Sequence, residues 1–207
     1  SGARHTATLT PTADENGHYK AGVWVRDSGA GIGTMSFVDP QRGTFAGLGH
    51  SISDADTGAD LTLLSGEIVP VTITGCIRGA AGSPGELRGE FAAAPAGTVL
   101  ANDAAGVYGS YTGSCTAPAL PVANLQEVTP GEAELWTTVL GTTAQPYTIQ
   151  VERVTMTGSD PNRNLLIRVT DKRLLDATGG VVQGMSGSPI VQNGRLAAVL
   201  THVLVND

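Results

Sequence analysis

Short runs of residues that alternate between polar and apolar, rich in Val, Ile and Thr, recur along the whole 207-residue chain. Turns separate them, and the chain holds 28 glycines and 11 prolines to form such turns. Only "DKRLLDATGG" suggests a helical turn or two. Many short strands joined by Gly- and Pro-containing turns predict an all-β fold, a sandwich or a barrel. The runs include "YKAGVWVRD", "GTMSFVDP", "EIVPVTIT", "AELWTTVL", "YTIQVERVTMT" and "RLAAVLTHVLV".

The strand pattern breaks once, at "CTAPALPVANL", where Pro118 and Pro121 interrupt it. We therefore predict two β subdomains, 21–118 and 119–207, preceded by an N-terminal linker at 1–20. A chain of this length is long enough to bury a sizeable core. The start, "SGARHTATLT", has no apolar segment typical of a signal peptide and looks like the beginning of an excised fragment, so the native protein is expected to extend further.

Composition argues against several classes of function. The net charge is −7 and the 12 Lys and Arg residues are scattered, which does not favour binding to nucleic acid. No run of 18 apolar residues is present, so no membrane span is expected. Cys76 and Cys115 form no CxxC or Cys/His pattern that would indicate zinc. They are either one disulfide, as in an exported protein, or two unpaired thiols.

The most specific local pattern is "GMSGSP", residues 184–189, followed by a strand. A serine hydroxyl becomes a nucleophile when a base removes its proton, and the resulting oxyanion needs donors fixed in advance. Glycines allow the chain to turn so that the N–H groups of Gly184 and Ser186 converge on one point. A Gly/Ser turn would explain a bare GxSG, but six consecutive residues of this kind favour a nucleophile at Ser186.

A candidate base is His50, which follows a Gly-Leu-Gly turn at the end of an apolar strand. A lone histidine in this position is usually structural. Here it precedes Ser186 by 136 residues, close to the separation and order of the chymotrypsin-type template. That spacing predicts a base in one barrel and a nucleophile in the next. His5 and His18 lie in the polar N-terminal stretch and are expected to be solvated.

The carboxylate that would orient the imidazole is not decided by these patterns. The candidates between the base and the nucleophile include Asp54, Asp56, Asp103 and Asp171; each could equally be a surface turn residue. The stretch Asp54–Asp60 spaces carboxylates like a calcium loop. It lacks the glycine at the sixth place (Ala59) and the acid at the twelfth (Ser65), so an acidic surface loop is the plain interpretation, and no metal site is predicted.

Taken together, "AGIGTMSFVDP", "GLGHSISD", "GGVVQGMSGSPIVQNG" and "THVLVND" resemble the stage IV sporulation protein B (SpoIVB) peptidase family of spore-forming bacteria. The resemblance runs from about Tyr19 to Asp207. It implies a trypsin-like double β-barrel, with His50 as general base in the first barrel and Ser186 as nucleophile in the second. The family's aspartate in a "TDxRLL" segment matches Asp171, which the resemblance favours over Asp103. No cofactor is implied.

The resemblance also implies a biological setting. Family members are exported to the space between forespore and mother cell, cleave themselves, and then cleave a membrane-bound inhibitor of an intramembrane protease. A membrane anchor and a PDZ domain are expected upstream in the full-length protein, and this chain is expected to be the peptidase domain alone. The resemblance further implies that a C-terminal segment usual in the family would follow "THVLVND".

Three further points remain as hypotheses. His202, on the strand after the serine loop, could donate a hydrogen bond to a polar substrate side chain, or could be an ordinary strand histidine. The Gly-rich segment Ala177–Gly184 is where a flexible loop would have to order before the oxyanion pocket exists. The alternative to an enzyme is a catalytically silent β-barrel module that docks a membrane partner.

Overall fold

The computed structural model describes residues 6, 8, 10–20, 29–54, 57–156 and 163–204. The chain divides into two compact units, Ser1–Gly31 and Ile32–Asp207. In the first unit, strands β1 (Thr12–Ala13) and β2 (Tyr19–Lys20) pair antiparallel around a turn. The Asp14 carboxylate closes this turn by accepting from the N–H groups of Asn16 and His18. The His18 side chain is 79% exposed, as expected, and His5 lies outside the described residues.

The second unit contains twelve of the strands, one short α-helix and a single 3-10 turn within the described residues. In chain order they are β3 (Met35–Asp39), β4 (Thr44–Gly47), β5 (Glu67–Ile68), β6 (Val71–Ile77), β7 (Glu86–Phe91), β8 (Gly97–Asp103), β9 (Gly106–Tyr111), the 3-10 turn (Leu125–Glu127), β10 (Gly131–Thr137), β11 (Gln145–Val154), β12 (Leu165–Val169), α1 (Lys172–Thr178), β13 (Pro189–Gln192) and β14 (Arg195–Val199).

Two five-stranded antiparallel sheets organise this unit. The first has the order β3-β4-β9-β8-β5 and the second β12-β11-β10-β13-β14. Register shifts interrupt both sheets, for example between Met35 and Phe37 and between Ile190 and Val191. Such bulges bend a strand and increase its twist, which lets a sheet curl. The all-β, trypsin-like fold class is confirmed; the boundary at residue 118 stays a prediction.

The larger core lies under the second sheet. Alternate residues of β10 and β11 point inward, and Leu135, Ile149 and Val151 are completely buried. Leu174 from α1 and Met185 from the loop before β13 belong to the same cluster. Since a buried side chain of this size contributes about 1.5–3 kcal/mol, the serine loop is anchored to the core through Met185. A smaller cluster forms around Phe45, Val99 and Val107 in the first sheet.

The hairpin β6–β7 contacts both α1 and the serine loop. Arg78 donates from its guanidinium to the carbonyl oxygens of Leu175 and Asp176, at the C-terminal end of the helix. On β7, the N–H of Leu87 donates to the carbonyl of Gln183 at 2.9 Å. Cys76, on β6, is half-buried, and neither Cys76 nor Cys115 is part of a disulfide. The described residues include no helix with the length and apolar character that a membrane crossing requires.

Candidate active site

A strained turn carries His50 out of strand β4. The N–H of Gly49 donates to the carbonyl of Gly47 at 2.9 Å, and Leu48 between them has a φ of 67°. This is a γ-turn with a positive central φ, the rarer and more strained of the two forms. A non-glycine residue held in such a conformation costs on the order of 1–3 kcal/mol and is characteristic of functional sites. The turn therefore singles out the position of His50.

The half-buried His50 ring is oriented by the backbone. Its Nδ1 lies 2.8 Å from the carbonyl oxygen of Ser51. A carbonyl can only accept, so Nδ1 carries a proton, and in the neutral imidazole Nε2 then keeps its lone pair. This is the tautomer that a general base needs. Two residues after His50, the backbone of Ile52 is fixed by Asn102. The Asn102 side chain accepts from the N–H of Ile52 and donates to the Ile52 carbonyl.

The loop around Ser186 has an uneven hydrogen-bonding pattern. Every carbonyl from residue 183 to 186 accepts a hydrogen bond, whereas the N–H groups of Gly184 and Ser186 donate to no described residue. The other N–H groups from 183 to 188 are all engaged. The donors to the carbonyls are Leu87 N–H to Gln183, the Thr34 hydroxyl to Gly184, Ser188 N–H to Met185 and Thr34 N–H to Ser186, at 2.9, 3.2, 2.9 and 2.8 Å.

This pattern fixes the direction of the N–H groups of Gly184 and Ser186, which donate to no described residue. In a planar trans peptide the C=O and the N–H point in opposite directions. The bond from Leu87 to the Gln183 carbonyl therefore turns the N–H of Gly184 away from β7. In the same way, the bond from the N–H of Ser188 to the Met185 carbonyl turns the N–H of Ser186 away from Ser188. Two fixed N–H groups, one of a serine and one of the residue two positions before it, are donors from which an oxyanion pocket can be built.

The base loop and the serine loop pack directly on each other. Gly187, at φ +92°, lies so close that a Cβ there would be 2.1 Å from the carbonyl oxygen of Thr34 and 2.5 Å from the nitrogen of Leu48. Gly49 is less tightly confined, since its Cβ would lie 2.9 Å from a methyl carbon at the end of the Thr201 side chain. The Ser186 hydroxyl donates to the carbonyl of that same Thr201 at 3.4 Å. The structure thus brings the segments of His50 and Ser186 together.

His202 lies beside the candidate base. The centroids of the His50 and His202 rings are 5.8 Å apart, and the ring planes are tilted by 41°. His202 is exposed, whereas His50 is half-buried. The sequence had suggested a role for His202 on the substrate side of the cleft. Its location next to the His50 ring is consistent with that hypothesis and does not test it.

Asp171 is not hydrogen-bonded to His50. It follows β12, at the edge of the second sheet opposite to β14, and is the N-cap of α1. Its carboxylate accepts from the N–H groups of Arg173 and Thr148 and forms an ion pair with the Arg173 guanidinium at 2.7 Å. That guanidinium, with the two backbone donors, holds the pKa of the Asp171 carboxyl well below its usual range. The contacts are those of a helix cap.

The other candidate carboxylates are engaged in turns. Asp103 accepts from the N–H of Ala105, two residues on, and Asp54 accepts from Thr57. Asp56 lies outside the described residues, as does residue 55, so the acidic loop Asp54–Asp60 is only partly described. Asp60 accepts from the hydroxyls of Ser51 and Ser53. In the described part of the chain, no group of three His, Cys, Asp or Glu residues is arranged to hold a metal ion.

Two residues of this site escape sequence reasoning. Thr34 precedes β3 and bonds to the serine loop, and Asn102 lies on β8 and bonds to the segment after His50. Each is a single polar residue in an unremarkable strand context; Thr34 lies 150 positions from Gly184, and Asn102 lies 50 positions from Ile52. No local motif marks such residues, because their partners are determined by strand pairing.

Residues 17–207 match the family model of the SpoIVB peptidase S55 family. The match includes both the base loop and the serine loop. Comparison with curated proteins and with solved structures gave no match.

Proposed function

The chain belongs to the SpoIVB peptidase S55 family, and from this premise we propose that it is a serine endopeptidase that works through Ser186 and His50. The observation that carries the proposal is the hydrogen-bonding pattern of the serine loop: the carbonyls of residues 183 to 186 all accept hydrogen bonds, whereas the N–H groups of Gly184 and Ser186 donate to none of the residues that the structure describes. The family supports a peptidase; the serine type and the roles of these residues are the proposal.

The proposed reaction is acyl transfer to water. The Ser186 oxygen attacks a peptide carbonyl carbon while Nε2 of His50 takes the hydroxyl proton. The N–H groups of Gly184 and Ser186 donate to the oxyanion, and loss of one such donor typically slows an enzyme by about 10²–10³. His50 then gives its proton to the leaving amine, and water repeats the sequence on the acyl-enzyme. The Ser51 carbonyl keeps the His50 proton on Nδ1 throughout the resting state.

The substrates are proteins, since the family is one of peptidases. We extend the proposal to self-cleavage and to cleavage of a membrane-bound regulator of an intramembrane protease, in the space between forespore and mother cell. A PDZ domain upstream in the full-length protein belongs to the same proposal. Family membership is what supports these finer statements.

The test is covalent labelling by a fluorophosphonate, in which the serine oxygen bonds to phosphorus and fluoride leaves. Wild-type protein is expected to gain one probe per chain, and Ser186→Ala none. Ser114→Ala, at an exposed position away from the loop, is the matched control and should label like wild type. A folded wild-type protein that does not label, while still binding a membrane partner, would favour the alternative of a catalytically silent docking module.

A further inference from the structure

Thr34 contacts both loops of the proposed active site through its backbone and its side chain. Its N–H donates to the carbonyl of Ser186 at 2.8 Å, and its own carbonyl accepts from the N–H of Leu48 at 3.2 Å. One residue therefore joins the serine loop to the turn that carries His50. The Thr34 segment and the turn after β4 are neighbours on the β3–β4 hairpin, whereas Gly184 in the serine loop lies 150 positions from Thr34.

The side chain of Thr34 adds a contact that the backbone cannot make. Its hydroxyl donates to the carbonyl of Gly184 at 3.2 Å and accepts from the hydroxyl of Ser188 at 3.3 Å. The Thr34 hydroxyl therefore lies between one donor, the hydroxyl of the completely buried Ser188, and one acceptor, the carbonyl of Gly184. Both of its hydrogen-bonding functions are used, which fixes its rotamer.

The Gly184 carbonyl, which accepts from the Thr34 hydroxyl, belongs to a peptide whose orientation affects the proposed oxyanion donors. The peptide between Gly184 and Met185 lies between the two peptides whose N–H groups are proposed to bind the oxyanion. Rotation of this middle peptide changes the angle between those two donors. Glycine has few steric limits on such rotation, so at Gly184, with φ +95°, hydrogen bonds are needed to hold one orientation. Two do so: the N–H of Met185 donates to the carbonyl of Val182 at 3.2 Å, and the Thr34 hydroxyl donates to the carbonyl of Gly184 from the other side of the peptide.

We propose that Thr34 is a positioning residue of the peptidase: its hydroxyl sets the orientation of the Gly184–Met185 peptide and so keeps the N–H groups of Gly184 and Ser186 aimed at one point, in register with the base loop. This inference rests on the proposed function. Thr34 does not touch the reacting atoms, so its effect is on the rate of acylation and not on substrate affinity.

The experiment compares Thr34→Val, which keeps the shape and removes the hydroxyl, with Thr34→Ser, which keeps the hydroxyl. The rate constant of fluorophosphonate labelling and kcat for a peptide substrate are measured per folded molecule. Thr34→Val is expected to lower both by about 10-fold, the scale of one lost hydrogen bond, with KM changed less than about 2-fold. Thr34→Ser is expected to restore most of the rate.

Thr112→Val is the matched control, because the Thr112 hydroxyl also donates to a backbone carbonyl, that of Ala96 at 3.1 Å, away from the serine loop. It should leave kcat unchanged. Thr34→Cys, a near-isostere with a weaker donor, gives a rate between those of wild type and Thr34→Val, and serves if the valine variant does not fold. A Val or Cys variant as fast as wild type, or a Ser variant as slow as Val, overturns the inference. Wild-type protein that does not label at all overturns the proposed function and this inference with it.

Discussion

At the scale of single residues, the described contacts of Asp171 are those of a helix cap, and its catalytic role stays a prediction. Both carboxylate oxygens are used at the start of α1, by Arg173 and by the N–H of Thr148. The orienting contact of His50 comes from a backbone carbonyl, that of Ser51. The family resemblance had favoured Asp171 as the third member of a triad, and no described contact joins it to the other two.

Replacement of Asp171 tests this difference. Asp171→Ala removes the cap and is expected to lower the free energy of unfolding by about 1–2 kcal/mol, whereas Asp171→Asn, also a good N-cap, costs less. Labelling by a fluorophosphonate, measured per folded molecule, should stay within a few-fold of wild type in both. A triad acid changed to its amide would slow the reaction by about 10⁴. A loss of that size with unchanged stability would restore Asp171 to the triad.

The stabilisation from Asp171 should also depend on pH. Because its pKa is lowered in the folded protein, mainly by the Arg173 guanidinium, the carboxylate stabilises the fold above the unfolded-state pKa of about 4. This contribution is lost as the pH falls toward the folded-state pKa. The difference in Tm between wild type and Asp171→Asn should therefore narrow from pH 7 to pH 3. A difference that stays constant over this range would mean that the ion pair does not stabilise the fold.

His202 offers a residue-scale test of specificity. Its exposed ring lies 5.8 Å from the ring of His50, where a substrate side chain could reach it. His202→Ala is expected to lower kcat/KM several-fold for peptides with a Gln or Glu beside the cleaved bond and to leave Ala-containing peptides unaffected, since a lost hydrogen bond affects only substrates that can form it. Equal changes for all three peptides would rule out the specificity role.

At the scale of elements, the approach of the two loops is limited by backbone atoms. Gly187 leaves no room for a side chain, because its Cβ would overlap the carbonyl of Thr34 and the nitrogen of Leu48, both of which are main-chain atoms. These main-chain atoms are held by hydrogen bonds next to paired strands, so they cannot move aside as the end of a flexible side chain can. The proximity of the base loop to the serine loop therefore depends on this one glycine.

Gly187→Ala and Gly194→Ala form a matched pair. Both glycines have positive φ, +92° and +73°, but a Cβ at Gly194 meets nothing within 4 Å. Gly194→Ala should cost only the left-handed conformation, about 1–2 kcal/mol. Gly187→Ala should cost about 3 kcal/mol or more and abolish labelling, because the steric overlap adds to that term. Urea unfolding gives both values, and equal losses would show that the loops do not pack as described.

At the scale of the whole molecule, the fold is held by two hydrophobic clusters and sheet hydrogen bonds, without a covalent cross-link between its cysteines. Arg78, Leu87 and Thr34 connect the hairpin, the helix and the two loops into one network. The network is made of contacts between residues far apart in sequence. Folding is therefore expected to be slower than for a helical protein of the same length.

The state of the cysteines gives a prediction at this scale. Thiol titration of the native protein should find two free thiols, with Cys115 reacting fast because it is exposed. Cys76 should react slowly, since burial raises the pKa of its thiol and lowers the thiolate fraction. Cys115→Ser should remove the fast phase, and a reductant should leave Tm unchanged. A fall in Tm on reduction would reveal a disulfide.

Much of the fold and part of the site were accessible from the sequence. The alternating runs predicted strands, and "DKRLLDATGG" predicted helix α1, because both are local consequences of side-chain period and turn residues. The "GMSGSP" pattern also identified the loop in which the N–H groups of Gly184 and Ser186 donate to no described residue. The contacts of Asp171, Thr34 and Asn102 were not predictable, since a carboxylate, a hydroxyl or an amide bonds to whatever the fold brings near.

The sequence by itself determined the β architecture, the turn at Gly187 and the identity of a serine and a histidine with suitable chemistry. Only the tertiary structure decided that the turn after β4 rests against the loop before β13, that Thr34 joins them, and that the Asp171 carboxylate begins a helix. The physical reason is the sequence distance over which the interactions act. Backbone conformation is governed by neighbouring side chains. The partner of a polar group instead depends on sheet order and strand register, which involve residues many tens of positions apart.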